Sequence, residues 1–362
     1  MKAWHWLVGL GVVLVLVLAG AAAFHFRGEI ATRMVARAAQ QGMSSNLPDE
    51  LGDGLHAAFC GTGSPLPDRA RAGPCLAVIA GGRVFVFDAG EGASETLSLM
   101  GVPQSEIEAV FLTHLHSDHF DGLAPLALQH WAMASATTPL NVIGPVGAAR
   151  VAAGLNEAYA IDSGYRTAHH GPEIMPPTGA GLRAEEFTPP PLDGETIVLR
   201  DEGGVRILAF RVDHAPTDAV GYRIEYGGRS IVVSGDTSRS ASLASAARGA
   251  DLLVHEVISP RLDKIMHDAA MAQGRENVGA ILHDILDYHT SPEDAGAVAQ
   301  EAGVGALAFT HILPQTPIPG LAHTFVQDAK RTYDGPVYAM RDGDVISLPI
   351  DGGLKRSRHL RF

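Results

Sequence analysis

From Leu55 onward, short apolar runs alternate with glycine turns, and most runs end on a polar residue able to do chemistry. Residues 84–87 run into Asp88, residues 110–112 into Thr113 and His114, and residues 231–233 into Ser234, Gly235 and Asp236. Residues 252–254 lead into His255 and Glu256, and residues 306–309 into Thr310 and His311. Runs of this length suit buried strands, and further ones lie at residues 55–60 and 75–80. Helical patterns fill the gaps at residues 122–134, 145–159, 278–288 and 292–302. The last begins with Ser291 as cap, Pro292 at the first helical position and acids in the first turn. Ligands in α/β sheets collect where strands end, so His and Asp at so many strand ends predict one shared site. The whole predicts an α/β or αββα sandwich over residues 55–350.

A different pattern precedes it. Residues 7–24 are uncharged and apolar, flanked by Lys2 on one side and Arg27, Arg33 and Arg37 on the other. As a helix this stretch would be ~27 Å long, close to the ~30 Å hydrocarbon core of a bilayer. A signal-anchor and a cleaved signal peptide both fit, because Ala19-Gly20-Ala21 and Ala21-Ala22-Ala23 resemble cleavage sites. Either one places the catalytic part outside the cytoplasm, anchored in the cell membrane facing the periplasm or exterior, or released into the periplasm. Residues 1–27 are thus a leader or anchor, 28–54 a membrane-proximal connector helical around 30–41, and 351–362 a basic tail with Lys355, Arg356 and Arg358. The two cysteines, Cys60 and Cys75, border strands that would pair as a hairpin. A disulfide and two separate buried thiols are both compatible with that, and a zinc-ribbon spacing is absent.

Composition changes the picture in one respect. Lys and Arg number 27 against 40 Asp and Glu, a net charge of −13. Polyanion binding draws most of its affinity from basic surface, so this balance argues against a nucleic-acid partner.

The strongest local signal is Thr113-His114-Leu115-His116-Ser117-Asp118-His119, directly after a strand. Imidazole with carboxylate suits zinc or manganese and not calcium, which takes oxygen ligands. This His-x-His-x-Asp-His motif, followed in order by His214, by Asp236 in Ser-Gly-Asp-Thr and by His311, resembles the metallo-β-lactamase superfamily across residues 55–348. The resemblance implies a four-layer αββα sandwich and two divalent ions, zinc by preference: one on His114, His116 and His214, the other on Asp118, His119 and His311, with Asp236 between them. Finer features are similar to the branch holding ribonuclease Z and the metallo-β-lactamase-type arylsulfatases. They are Cys60-Gly61-Thr62-Gly63-Ser64-Pro65, Phe87-Asp88-Ala89-Gly90-Glu91-Gly92, Gly221-Tyr222-Arg223, His255-Glu256 and His289-Thr290-Ser291.

The chemistry implied is hydrolysis of a sulfate or phosphate ester by water activated between two metals. Asp118, His289 and Glu256 are the expected catalytic groups, with His289 aided by Glu256 protonating the departing oxygen. Asp88 and His255 are expected behind the ligands, orienting them. Tyr159, Tyr165 and Arg166 suit a pocket for an aryl group with an anionic ester. The acidic balance and the absence of a basic Gly-rich arm favour an arylsulfatase-like enzyme on a small anionic ester. A ribonuclease Z-type phosphodiesterase is the alternative, and lactone or thioester hydrolysis or a non-catalytic metal-binding domain come next. A flavodiiron-like domain fits less well, because Glu usually stands where His116 does. The sequence leaves open whether the chain pairs as a homodimer.

Overall fold

The computed structural model describes residues 2–192 and 195–360. They fall into two compact units, Met1–Asn46 and Leu47–Phe362.

The first unit is two helices, α1 (Lys2–His25) and α2 (Arg27–Met43). Among the described residues, no single helix is long and apolar enough to cross a membrane. The pair Gly11–His25 and Arg27–Gln40, bent by 66°, passes the same test together.

The second unit opens with α3 (Leu47–Leu51) and then builds β1 (Gly54–Gly61), β2 (Cys75–Ala80), β3 (Arg83–Phe87), α4 (Ala93–Met100), β4 (Ile107–Phe111), α5 (Leu123–Ala134), β5 (Leu140–Pro145), α6 (Ala148–His170) and β6 (Leu182–Phe187). The strands β7 (Thr196–Glu202), β8 (Val205–Arg211), β9 (Val220–Tyr226) and β10 (Arg229–Val233) follow. The remainder is α7 (Ala241–Ala246), β11 (Leu252–Ile258), α8 (Pro260–Ala272), α9 (Glu276–Asp284), α10 (Pro292–Ala302), β12 (Leu307–Leu313), α11 (His323–Ala329), β13 (Val337–Ala339), β14 (Asp344–Pro349) and β15 (Lys355–Arg358).

One sheet runs in the order β15-β14-β1-β2-β3-β4-β5-β6, and the other β13-β12-β11-β10-β9-β8-β7. Strand alternation explains how they stack. Leu55, Ala57 and Phe59 of β1 face the core between the sheets, while Ala58 and Cys60 face the helical side. Leu97 of α4, Leu126 of α5 and Ala152 of α6 cover that outer face. Leu243 of α7, Val298 of α10 and Phe325 of α11 cover the outside of the second sheet. The result is the expected αββα sandwich, with central strands buried on both faces. Between the sheets Phe87 stacks on Phe111 at 5.2 Å, and each ring so buried contributes ~1.5–3 kcal/mol.

Several boundaries differ from the sequence pattern. The helix expected at 145–159 continues to His170, although only Ala148 and Ala152 of it are buried. Its second half carries no core stripe to read and is held by local pairs such as Arg166 with Asp162. β11 and β12 run on through His255-Glu256 and Thr310-His311, where the sequence pattern placed strand ends. A disulfide joins Cys60 to Cys75 at a Cα separation of 5.0 Å, settling the open choice between bridge and free thiols.

Candidate metal centre

The loop after β4 is held from behind by Asp88, which follows β3. Asp88 is buried at a left-handed φ of 58°, a backbone position few residues other than glycine occupy. Its Oδ1 accepts the Thr113 backbone N–H (2.8 Å), and its Oδ2 accepts the Thr113 hydroxyl (2.8 Å) and His119 Nδ1–H (2.8 Å). The loop is drawn close because Gly90 and Gly122 have no side chain. A Cβ on Gly90 would lie 2.3 Å from the Asp118 carbonyl, and one on Gly122 would lie 2.1 Å from that of Gly90.

His311 reaches the same place by another device. The β11–β12 register shifts, with His255 opposite Phe309 but Val257 opposite Ile312. Thr310 and His311 form the bulge, and His311 takes a φ of 43°. A bulge re-aims a side chain without ending the strand, so His311 points at the site from inside β12. Asp236 arrives on a tight turn whose Gly235 sits at φ 63°.

These segments bring the expected ligands together. The ligand atoms of His114, His116 and His214 lie within 4.8 Å of one another, as do those of Asp118, His119 and His311. Asp236 stands between the groups: its Oδ2 is 3.9 Å from His114 Nε2, 3.3 Å from His119 Nε2 and 3.3 Å from His311 Nε2.

The hydrogen-bond pattern tests whether metal suits the cluster. His214 Nδ1 donates to the Tyr288 carbonyl at 2.9 Å, so the neutral ring turns its Nε2 lone pair inward. There it meets His116 Nδ1 at 3.3 Å, which is also 3.0 Å from His114 Nε2. His119 Nδ1 donates to Asp88, leaving Nε2 buried without a partner and facing the carboxylates of Asp236 and Asp118. The lone pairs of His114, His116 and His214 repel where they face one another. At His119 burial would lower the pKa, but Asp236 and Asp88 outweigh it and hold it well above the usual range. Both places call for positive charge, which cations would supply. Burial, reinforced by His119, holds His114 well below the usual imidazole range, and burial likewise lowers His116 and His214. Burial would raise Asp236, but His311 and His119 outweigh it and hold the carboxyl well below its usual range. The donor set therefore fits two divalent ions.

Beside the cluster sits His289, its ring 5.2 Å from that of His214 and 5.6 Å from that of His311. Its Nδ1 is 3.3 Å from Glu256 Oε2. Burial lowers its pKa, but the Glu256 carboxylate outweighs burial and lifts it to about 8. Glu256 in turn accepts the Thr290 backbone N–H at 2.8 Å and that of Thr237 at 3.4 Å.

Other expected residues stand elsewhere. The Nδ1 of His255 is 2.6 Å from the Glu256 carbonyl, and its buried Nε2 has no hydrogen-bond partner, so it makes no hydrogen bond to a ligand side chain. Tyr159 lines a small apolar pocket with Trp131 and Leu128, Tyr165 is exposed, and Arg166 is engaged by Asp162 at 2.6 Å. The aryl pocket read from these three is not assembled, because the helix carrying them keeps its second half on the surface. Sequence reading missed Thr113, which links Asp88 to both His114 and His119, and the carbonyl of Tyr288. Thr113 stood in the motif and could have been found; a backbone carbonyl leaves no trace in residue identity.

Asp118 lines an open cleft of about 960 Å³, bounded by the loop at 64–73, the start of α4 and Arg358. Asp342 ties both ends of that loop, accepting the Thr62 N–H (3.0 Å) and the Ala72 N–H (2.5 Å).

Residues 83–312 match the family described as a beta-lactamase superfamily domain. The ribonuclease Z of Mycolicibacterium gilvum is 40% identical over 263 residues, which are 72% of this chain and 85% of that one. The ribonuclease Z of Mycobacterium marinum is 41% identical over 263 residues, 72% of this chain and 87% of its own. The chain belongs to the metallo-β-lactamase superfamily, on its ribonuclease Z branch. Solved structures agree on the superfamily fold. A metallo-beta-lactamase fold protein from Bacillus subtilis superposes with a TM-score of 0.56 at 20% identity, covering 82% of this chain and all (100%) of that one. The short form of human tRNase Z gives 0.55 at 23%, covering 81% and 99%.

Within this superfamily two expectations give way. The arylsulfatase-like reading is overturned by the relatives at 40 and 41% identity, which are ribonuclease Z proteins. The exclusion of nucleic acid rested on a net charge of −13 summed over the whole surface. Phosphate responds to the field at the site, which a sum over a whole chain does not report.

Proposed function

We propose that the chain is a metal-dependent phosphodiesterase of the ribonuclease Z type, cleaving RNA at a ribose–phosphate bond. The observation that carries this reading is 40% identity across 85% of a ribonuclease Z. His114, His116 and His214 would hold one ion, Asp118, His119 and His311 the other, and Asp236 both. When bound, two such ions would lower the pKa of water and offset the negative charge of a phosphoryl group. The protein supplies the rest. Asp118, at the mouth of the cleft, takes the proton of the attacking water. His289, whose Nδ1 faces Glu256 Oε2 at 3.3 Å, gives a proton to the departing oxygen. That proton matters because either ester oxygen of an RNA phosphodiester leaves as a poorly stable alkoxide.

The test uses zinc-loaded full-length protein with three substrates side by side: a precursor transfer RNA with a 3′ extension, an unstructured RNA and an activated aryl phosphodiester. Release of the extension is expected. Turnover of the aryl ester with both RNAs left intact would overturn the RNA assignment.

We further propose that α1 anchors the chain in a membrane, with the catalytic unit in an oxidising compartment. The apolar α1 and the Cys60–Cys75 disulfide support this. Protease accessibility in intact cells tests it, and protection of the catalytic unit until lysis would count against it.

A further inference from the structure

The apolar helix α1 is followed at once by a helix of quite different make-up. In α2, Ile30, Ala31, Met34, Val35 and Ala38 recur at spacings of three and four and form one face. Glu29, Arg33 and Gln40 lie on the other side, and Arg37 borders the apolar face two turns on from Ile30. Ile30, Met34 and Val35 are exposed, as are Val12 to Leu18 in α1, so the apolar surface of one helix continues into the other. The remaining arginine, Arg27, lies back on the Phe24 ring at 3.9 Å and sits at the bend. Backbone bonds from Phe26 to Ala22 and from Ile30 to Phe26, each 2.9 Å, carry the chain through that 66° turn.

We propose that α2 is an interfacial helix that lies along the surface of an anionic phospholipid bilayer entered by α1. The inference rests on the membrane placement of α1 proposed above and adds a second contact to it. Ile30, Met34 and Ala38 sink to the boundary of headgroups and acyl chains, while Arg33 and Arg37 reach the lipid phosphates. Charge supports that occupant: α2 carries three arginines and one acid, in a chain whose overall charge is −13. A broken span running through the bilayer would instead bury Glu29, Arg33 and Arg37 in hydrocarbon, which is costly for ions without partners.

Because the only two cysteines are joined to each other, a single introduced cysteine can be spin-labelled without ambiguity in the full chain. Leu16→Cys, Ala38→Cys and Gln40→Cys report on α1, the apolar face of α2 and its polar face. Each is reconstituted in phosphatidylcholine vesicles with and without phosphatidylglycerol, and collisions with oxygen are compared with those of a water-soluble nickel chelate. Labels at 16 and 38 should favour oxygen and the label at 40 nickel, with the contrast between 38 and 40 falling when phosphatidylglycerol is omitted. A label at 16 in water overturns the anchor and the inference together. A label at 16 in hydrocarbon, with 38 and 40 alike, overturns the interfacial helix alone. A contrast indifferent to phosphatidylglycerol overturns the role of the arginines.

Discussion

Asp236 and His289 lie within a few ångströms of each other and are asked to do different things. Asp236 Oδ2 faces imidazoles of both ligand groups, so Asp236→Ala should lose metal and activity together, as elemental analysis and turnover on one preparation will report. His289 faces Glu256 and is proposed to act on the departing oxygen, so it should not be needed for metal. His289→Ala should keep both ions and slow RNA cleavage by ~10²–10³-fold. An activated nitrophenyl diester, whose leaving group departs without a proton, should lose much less. Loss of metal, or equal slowing of every ester, would remove His289 from proton transfer. Asp88 acts one layer further out. With Asp88→Ala, the Thr113 N–H and His119 Nδ1 lose a buried acceptor, at a cost of ~1–3 kcal/mol. Metal affinity should fall by ~10–100-fold, because His119 loses the bond that sets its tautomer. Titration with a competing chelator measures the second effect, and an unchanged affinity would confine Asp88 to folding.

At the scale of elements, the site depends on how strands end or bend. Asp88 and Asp236 follow strands directly, as the apolar runs suggested, whereas His311 sits inside β12 on a bulge. Residue order cannot distinguish these, since a run of apolar residues closed by Thr-His looks the same in both. Helix α10 was legible to the residue: Ser291 Oγ accepts the Asp294 N–H at 3.1 Å, Pro292 follows, and Gly303 closes the helix at φ 63°. Ser291→Ala should cost ~1 kcal/mol in urea unfolding. The Cys60–Cys75 bridge closes the base of the cleft-lining loop at a sequence separation of 15. In the chain-entropy account a loop of that length is worth ~3 kcal/mol, so the double alanine variant should shift the urea midpoint accordingly. A shift near zero would mean that Asp342 and the sheet already hold the loop.

Over the whole molecule, imidazoles and carboxylates from both sheets converge on one point between them. Ions that bind only the folded state should raise its stability by mass action. Chelation should lower the calorimetric Tm, and readdition of zinc up to two equivalents should restore it. Saturation at one equivalent would refute the two-ion centre. Net charge also belongs to this scale, and there it misled: the sum of −13 spoke against nucleic acid, while the 40% identity to ribonuclease Z speaks for it.

The sequence by itself determined the layered α/β fold, because burial period is local and survives without coordinates, and its resemblance to a known family named the seven ligand-type side chains that the structure brings together. Its reading of Cys60 and Cys75 reached proximity but not the bond, and its reading of α6 stopped where the buried face stopped. Only the tertiary structure decided that Tyr159, Tyr165 and Arg166 do not join the metals, and that Thr113 and the Tyr288 carbonyl do the orienting. The reason is physical. Which residues share a face follows from a helix or strand period, but which faces meet is set by packing between segments far apart in the chain, and backbone carbonyls carry no residue identity at all.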